Sequence, residues 1–337
     1  MIKNVDMIFE FKNQIPGPPA EAKDMHAQAC ASDSVTVNSW REKWISNAKA
    51  TKDRFGSYKE RGLGKLFGSL KARPCIVVGS GPSLRNNIDK LAEIKDIPIL
   101  SCLHNYHYMV DNKVKVDYFV SLDAGDVVIE EISEGGKLTP EEYAESTRDK
   151  TLIAFVGSSP KLFDSWRGEV ILFNCPVPDE AYRAAVNELE PFHTYVSTGG
   201  NVLGACTYIA KAIFGANPIV FVGADFCFSY TNKFHPWDSK YDDKLGQAIR
   251  AIDVWGNGVR TWQSYYNFKV WFDWLCTNVP GIYINCTEGG LLGSYPEGNI
   301  AQIKQMRLED LIWQYGMHEQ MRAQCEAPEI HDNKILF

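Results

Sequence analysis

The sequence predicts an α/β protein: a doubly wound, mostly parallel, Rossmann-like sheet with a helical N-terminal extension. Three observations lead there. Short, apolar, β-branched runs alternate with helix-compatible stretches, the pattern of strands buried on both faces and joined by crossover helices. The run Pro74-Cys75-Ile76-Val77-Val78 opens abruptly into Gly79-Ser80-Gly81-Pro82-Ser83 and then a helix reaching about Ile94, which is a strand, tight loop, helix junction. A second small-residue helix start, Ser197-Thr198-Gly199-Gly200-Asn201, precedes an amphipathic helix to about Phe214.

Composition narrows the class. A chain of 337 residues with 45% hydrophobic content can bury a large core. The net charge of -7 argues against a protein whose whole surface clings to nucleic acid. No charged-then-apolar leader pattern opens the sequence and the apolar runs are strand-sized, so the expectation is a cytoplasmic protein without a membrane partner. The nine cysteines contain no C-x-x-C pair, and Cys75, Cys102 and Cys206 lie in apolar runs. Reduced, buried thiols are expected rather than a zinc site or a disulfide framework.

The chain divides into an N-terminal arm and basic helical extension (1–73), a Rossmann-like domain (74–315) and a C-terminal tail (316–337). Residues 1 to about 35 lack strong periodicity and read as an arm. From Ser39 to Arg73 the pattern turns helical and basic, with Trp40, Trp44, Phe55 and Tyr58 interleaved. A solvated helical face explains that charge, and a phosphate or nucleic-acid patch over 41–73 is the sharper alternative.

Further strands are expected at Ile97–Leu103, Val116–Leu122, Leu152–Val156, Val170–Phe173, Ile219–Val222 and Ile282–Asn285. Residues at the C-terminal ends of such strands border the ligand crevice. They include His104, Asn105 and His107 after the second strand, Asp123 after the third, and Asp225, with His235 downstream, after Ile219–Val222. The segment Lys240–Leu275 reads as helical and aromatic, chiefly core or a subunit interface, with a homo-oligomer expected.

The glycine-containing loop offers backbone N–H groups to an anion. It is not a dinucleotide fingerprint, because Leu84 stands where the third glycine belongs, and not a P-loop, because no Lys-Ser/Thr follows. Gly79, Ser80, Gly81, Pro82 and Ser83, with Ser197, Thr198, Gly199 and Gly200, are therefore expected to grip one nucleotide from two sides.

Taken in order, Val78-Gly79-Ser80-Gly81-Pro82-Ser83-Leu84, Ser121-Leu122-Asp123, Ser197-Thr198-Gly199-Gly200, Val222-Gly223-Ala224-Asp225 with His235, and Asn285-Cys286-Thr287-Glu288-Gly289-Gly290 resemble the MptE-like group. That group holds 6-hydroxymethylpterin pyrophosphokinases and motility accessory factor proteins linked to flagellin glycosylation. The first loop, the Asn105 stretch and the Ser/Thr-Gly helix start are also similar to bacterial sialyltransferases that bind a CMP-sugar.

The resemblance implies a nucleotide-dependent transferase. In a glycosyltransferase the two loops would hold the phosphates of a CMP- or other nucleotide-sugar donor. Asn105 and Asp123 would meet base or ribose, and His235 would deprotonate an acceptor hydroxyl, with Asp225 beside it. In a pyrophosphokinase, ATP and Mg²⁺ would sit against Asp123 and Asp225. The third reading is a non-catalytic nucleotide-binding protein whose aromatic 255–274 segment serves assembly.

Overall fold

The computed structural model describes residues 20–316 apart from 134–135, 192–194, 240 and 243, with backbone alone for 20–35 and 131. Residues 1–19 of the expected arm and 317–337 of the expected tail lie outside the described residues.

Eight strands form one sheet: β1 (Cys75–Val78), β2 (Ile99–Cys102), β3 (Tyr118–Ser121), β4 (Thr151–Phe155), β5 (Glu169–Phe173), β6 (Ile219–Val222), β9 (Tyr283–Asn285) and β10 (Ile303–Gln305). The spatial order is β10-β9-β6-β1-β2-β3-β4-β5, and every pairing is parallel. Burial on both faces explains the near-continuous apolar sequences, since Cys75–Val78 and Ile219–Val222 are wholly buried. The chain winds outward from β1 to β5, then returns on the other flank of β1 as β6. The switch point therefore lies between β1 and β6, where ligands of such sheets gather. Two further strands, β7 (Ile249–Ile252) and β8 (Gly258–Thr261), pair antiparallel as a hairpin.

That hairpin corrects the sequence reading of Lys240–Leu275 as one helical stretch. The turn runs from Asp253 to Asn257, with Gly256 at φ +83°, and the helical parts of the segment are a 3₁₀ turn at Leu245–Gln247 and the helix Gln263–Asn278. Trp255 in the turn and Trp262 just before the helix extend the helix's aromatic spacing backwards and mask the change of period. Strand β10 was also unread, because three residues carry little pattern.

Helix α1 (Ala20–Phe55) begins inside the stretch read as an arm. Pro18 and Pro19 precede it and its first turns are alanine-rich, which favours a helix where apolar periodicity is absent. Its C-terminal half crosses the loops that leave β3 and β4. Asn47 Nδ2 donates to the carbonyls of Ala124 (3.1 Å) and Gly157 (2.9 Å), and Thr51 Oγ1 donates to that of Val156 (3.0 Å). The basic character has a local use: Arg41 pairs with Asp179, Lys43 with Asp126, Lys52 with Glu190, Arg54 with Asp164 and, beyond the helix, Lys65 with Glu169. These cations dock the extension on the sheet's acidic rim.

The remaining helices that position the site are α2 (Leu84–Glu93), α3 (Tyr106–Asp111) and α7 (Glu180–Leu189), the last packed along α1. Helix α8 (Val202–Tyr208) continues as a π-helical turn to Ile213 and lies across β1, β2 and β3, and α9 is Gln263–Asn278. Seven described cysteines stand as free thiols, all but Cys175 buried, as expected of small hydrophobes. No described helix is long and apolar enough to cross a membrane.

Asn47 is 6% exposed, and its removal strands two carbonyls. Asn47→Ala should lower the unfolding free energy by about 1–3 kcal/mol, read as a lower urea midpoint at unchanged slope.

Candidate functional site

The loop after β1 packs against the loop after β6 with no room for a side chain between them. Gly79 N–H donates to the Val222 carbonyl and Gly81 N–H to that of Gly223, both at 2.9 Å. A β-carbon on Gly79 would stand 2.5 Å from the Gly223 oxygen, and one on Gly81 would collide with the Asp225 carboxylate. Gly290 closes the stack from the other side: its φ is +73° and a β-carbon there would lie 2.6 Å from Asp225 Cα.

Asp225 is the buried pin of this arrangement. Oδ1 accepts from Ser83 N–H (3.2 Å) and Oδ2 from Ser83 Oγ (2.7 Å), tying the β6 loop to the first turn of α2. Burial outweighs those hydrogen bonds and pushes its carboxyl up to about 7. The N–H groups of Gly79, Gly81 and Ser83 are thus committed to protein acceptors. In loop 79–83 the N–H of Ser80 alone lacks a hydrogen bond within the described residues.

Asn105 is fully buried at the end of β2, where Nδ2 donates to the Gly79 carbonyl (3.0 Å) and to Ser101 Oγ (3.1 Å). It therefore holds the glycine loop in place, and its Oδ1 has no hydrogen-bond partner among the described residues. The second helix start stands beside the first. Leu203 Cδ2 lies 3.4 Å from where a Gly79 β-carbon would be, and Asn201 caps α8 by accepting from Gly204 N–H (2.9 Å). Gly199 and Gly200 have φ of +56° and +88° and press on Trp271 and Phe268 of α9. Gly200 N–H is turned back on Thr198 Oγ1 (3.2 Å), while Ser197 and Thr198 are half-buried.

His235 joins the glycine loop directly. Its Nδ1 lies 2.8 Å from the Ser80 carbonyl, and because a carbonyl only accepts, Nδ1 carries the proton. The lone pair then sits on Nε2, buried and without a hydrogen-bond partner among the described residues. Desolvation holds the imidazole below its ordinary pKa and keeps it neutral. Trp237 stacks on it at 4.9 Å and 10°, His104 lies 4.7 Å away, and His107 meets Trp237 edge-on at 4.4 Å. Arg85 Nε donates to the Pro236 carbonyl at 2.7 Å. Phe228, Phe234, His235 and Trp237 of this loop are all packed into the molecule. Trp237 was not among the expected site residues, although it lies two residues after His235.

Asp123 behaves differently from Asp225. It is solvent-accessible, yet surrounding protein raises its carboxyl by desolvation, as at the floor of a cleft. Its carboxylate makes no hydrogen bond among the described residues, so it caps no turn. The two carboxylates are not brought together: β1 and β2 separate β6 from β3, three steps of about 4.8 Å or roughly 14 Å in all. No cluster of three or more metal-ligating side chains occurs among the described residues. A shared Mg²⁺ site at Asp123 and Asp225 does not fit this geometry, and no step is routed through one.

The buried Asp225 makes stability depend on pH. A carboxyl raised to about 7 in the fold but near 3.9 when unfolded binds its proton more tightly in the native state. Its stabilising contribution is full below about pH 4 and is lost as pH rises through 7. Asp225→Asn should flatten that decline, so urea midpoints of variant and wild type should diverge in the variant's favour from pH 4 to pH 8.

A family profile described as 6-hydroxymethylpterin diphosphokinase MptE-like matches residues 49–231. No curated protein matches the sequence. Among solved structures the fold is similar to the MAf glycosyltransferase from Magnetospirillum magneticum AMB-1, with a TM-score of 0.56 at 16% identity. That similarity covers 84% of this chain but 42% of the neighbour, so this chain spans less than half of that protein's length. At this identity the neighbour speaks for the fold alone. With more than half of its residues matched by the profile, the chain belongs to the MptE-like family.

Proposed function

We propose that this chain is a glycosyltransferase that moves a sugar from a nucleotide-activated donor to an acceptor hydroxyl. The observation that carries this reading is the bond from His235 Nδ1 to the Ser80 carbonyl, which fixes a neutral base on the glycine loop itself. In the reaction the acceptor oxygen attacks the anomeric carbon and gives its proton to His235 Nε2. The bond from that carbon to the leaving phosphate oxygen breaks, and its electron pair stays on the phosphate. Backbone N–H groups at Ser80 and the start of α8 are placed for the developing charge. Asp123 is suited to a ribose hydroxyl. The MAf glycosyltransferase neighbour shows that a glycosyltransferase can be built on this fold.

A diphosphokinase is the second reading, favoured by the family description. Incubation with ATP, Mg²⁺ and 6-hydroxymethylpterin separates the two: AMP release coupled to pterin diphosphate would establish it and overturn glycosyl transfer.

His235→Ala should reduce sugar transfer about 10²–10⁴-fold while the affinity for donor nucleotide holds. In the wild type, the acidic limb of the kcat/KM profile should fall below the ordinary histidine range, because burial lowers the imidazole pKa. Turnover surviving the substitution would move the base assignment to His107.

A further inference from the structure

We infer that Trp40, on the N-terminal helix, is the stacking platform for the donor's nucleobase, an inference that rests on the nucleotide-donor reading of the site. Trp40 is 38% exposed although it stands against the body of the protein. A β-carbon on Gly125 would lie 3.5 Å from its Cη2 atom, which places the indole over the loop that begins at Asp123. Val127, 41% exposed, flanks the same glycine. An uncovered apolar surface thus lies on the loop that begins at Asp123, whose carboxylate makes no hydrogen bond among the described residues.

Helix α1, which carries the indole, is fastened on both sides of the loop after β3. Asn47 and Thr51 fasten the helix to the loops after β3 and β4, and Arg41 pairs with Asp179. The Lys43 ammonium lies 5.9 Å from the indole centroid and 3.8 Å from Asp126. From the glycine loop after β1 to Asp123 after β3 are two strand steps, about 10 Å, the length scale of a nucleoside monophosphate. A phosphate at Ser80 and α8 would therefore put ribose and base at Asp123 and Trp40. A flat heterocycle suits this pair of groups: its π-face stacks on indole, and its amino or the ribose hydroxyl groups donate to the carboxylate. Trp40 also precedes residues 49–231, so the extension rather than the family-matched segment supplies the platform.

The test is calorimetric titration of the full chain with CMP, UMP, AMP, GMP and ribose 5-phosphate at one salt concentration. Trp40→Ala should weaken the nucleotide that wild type binds best by about ten- to a hundredfold, the range of base–aromatic stacking. Ribose 5-phosphate affinity should stay unchanged, and Trp40→Phe should restore most of the loss. Equal nucleotide affinity in Trp40→Ala and wild type overturns the stacking role alone. Equal losses for nucleotide and ribose 5-phosphate overturn it as well, by showing that the indole only supports the fold of the site. Wild type that binds none of the four nucleotides overturns the donor reading together with this inference.

Discussion

The structure depends on one tight contact: the backbones leaving β1 and β6 touch, and a buried carboxylate locks them. Gly79, Gly81, Gly223 and Gly290 are required there because any β-carbon would meet a carbonyl or the Asp225 backbone and carboxylate. The packing consumes N–H groups that a phosphate loop would otherwise present. What looked like a binding loop is therefore, in large part, a joint. The joint closes the switch point itself and shifts the usable crevice toward β1, β2 and β3, where Ser80, the α8 start, Asp123 and His235 lie.

That shift explains why the elements around the crevice are arranged as they are. Helix α8 lies across β1, β2 and β3, and Leu203 in its first turn packs close to Gly79 of the glycine loop. Helix α1 walls the opposite end by clamping the β3 and β4 loops through Asn47. Buried hydrogen bonds fix α1, and buried apolar side chains such as Leu203, Ala205 and Cys206 seat α8 on the sheet. The ion pairs along α1 add orientation, since partly exposed pairs contribute little stability.

Much of the fold was legible because a parallel sheet writes itself into sequence as uninterrupted apolar runs. Seven of its eight strands and both glycine-containing helix starts can be placed by that rule. The β7–β8 hairpin escaped because Trp255 in its turn and Trp262 just after it extend the aromatic spacing of α9 across two short strands that carry no aromatic residue, and only Gly256 and Gly258 mark the break. The site was legible in its parts but not in its pairings. Asp123 and Asp225 look equivalent in one dimension, as acids after apolar strands. Three-dimensional packing tells them apart: Asp123 is exposed to solvent, and Asp225 is sealed in the joint.

Packing also bears on which transfer the site suits. Diphosphoryl transfer concentrates charge on the equatorial oxygens of a phosphoryl group and needs cations against them. Near the glycine loop, Arg85 donates to the Pro236 carbonyl and Lys90 pairs with Glu288. Lys43 and Lys161 both lean on Asp126. These cations are occupied in holding loops together. Glycosyl transfer makes a lighter demand, because charge develops on a single leaving oxygen while the acceptor surrenders one proton. In the proposed reading, a neutral imidazole fixed on the Ser80 carbonyl and the uncommitted Ser80 N–H would meet that demand.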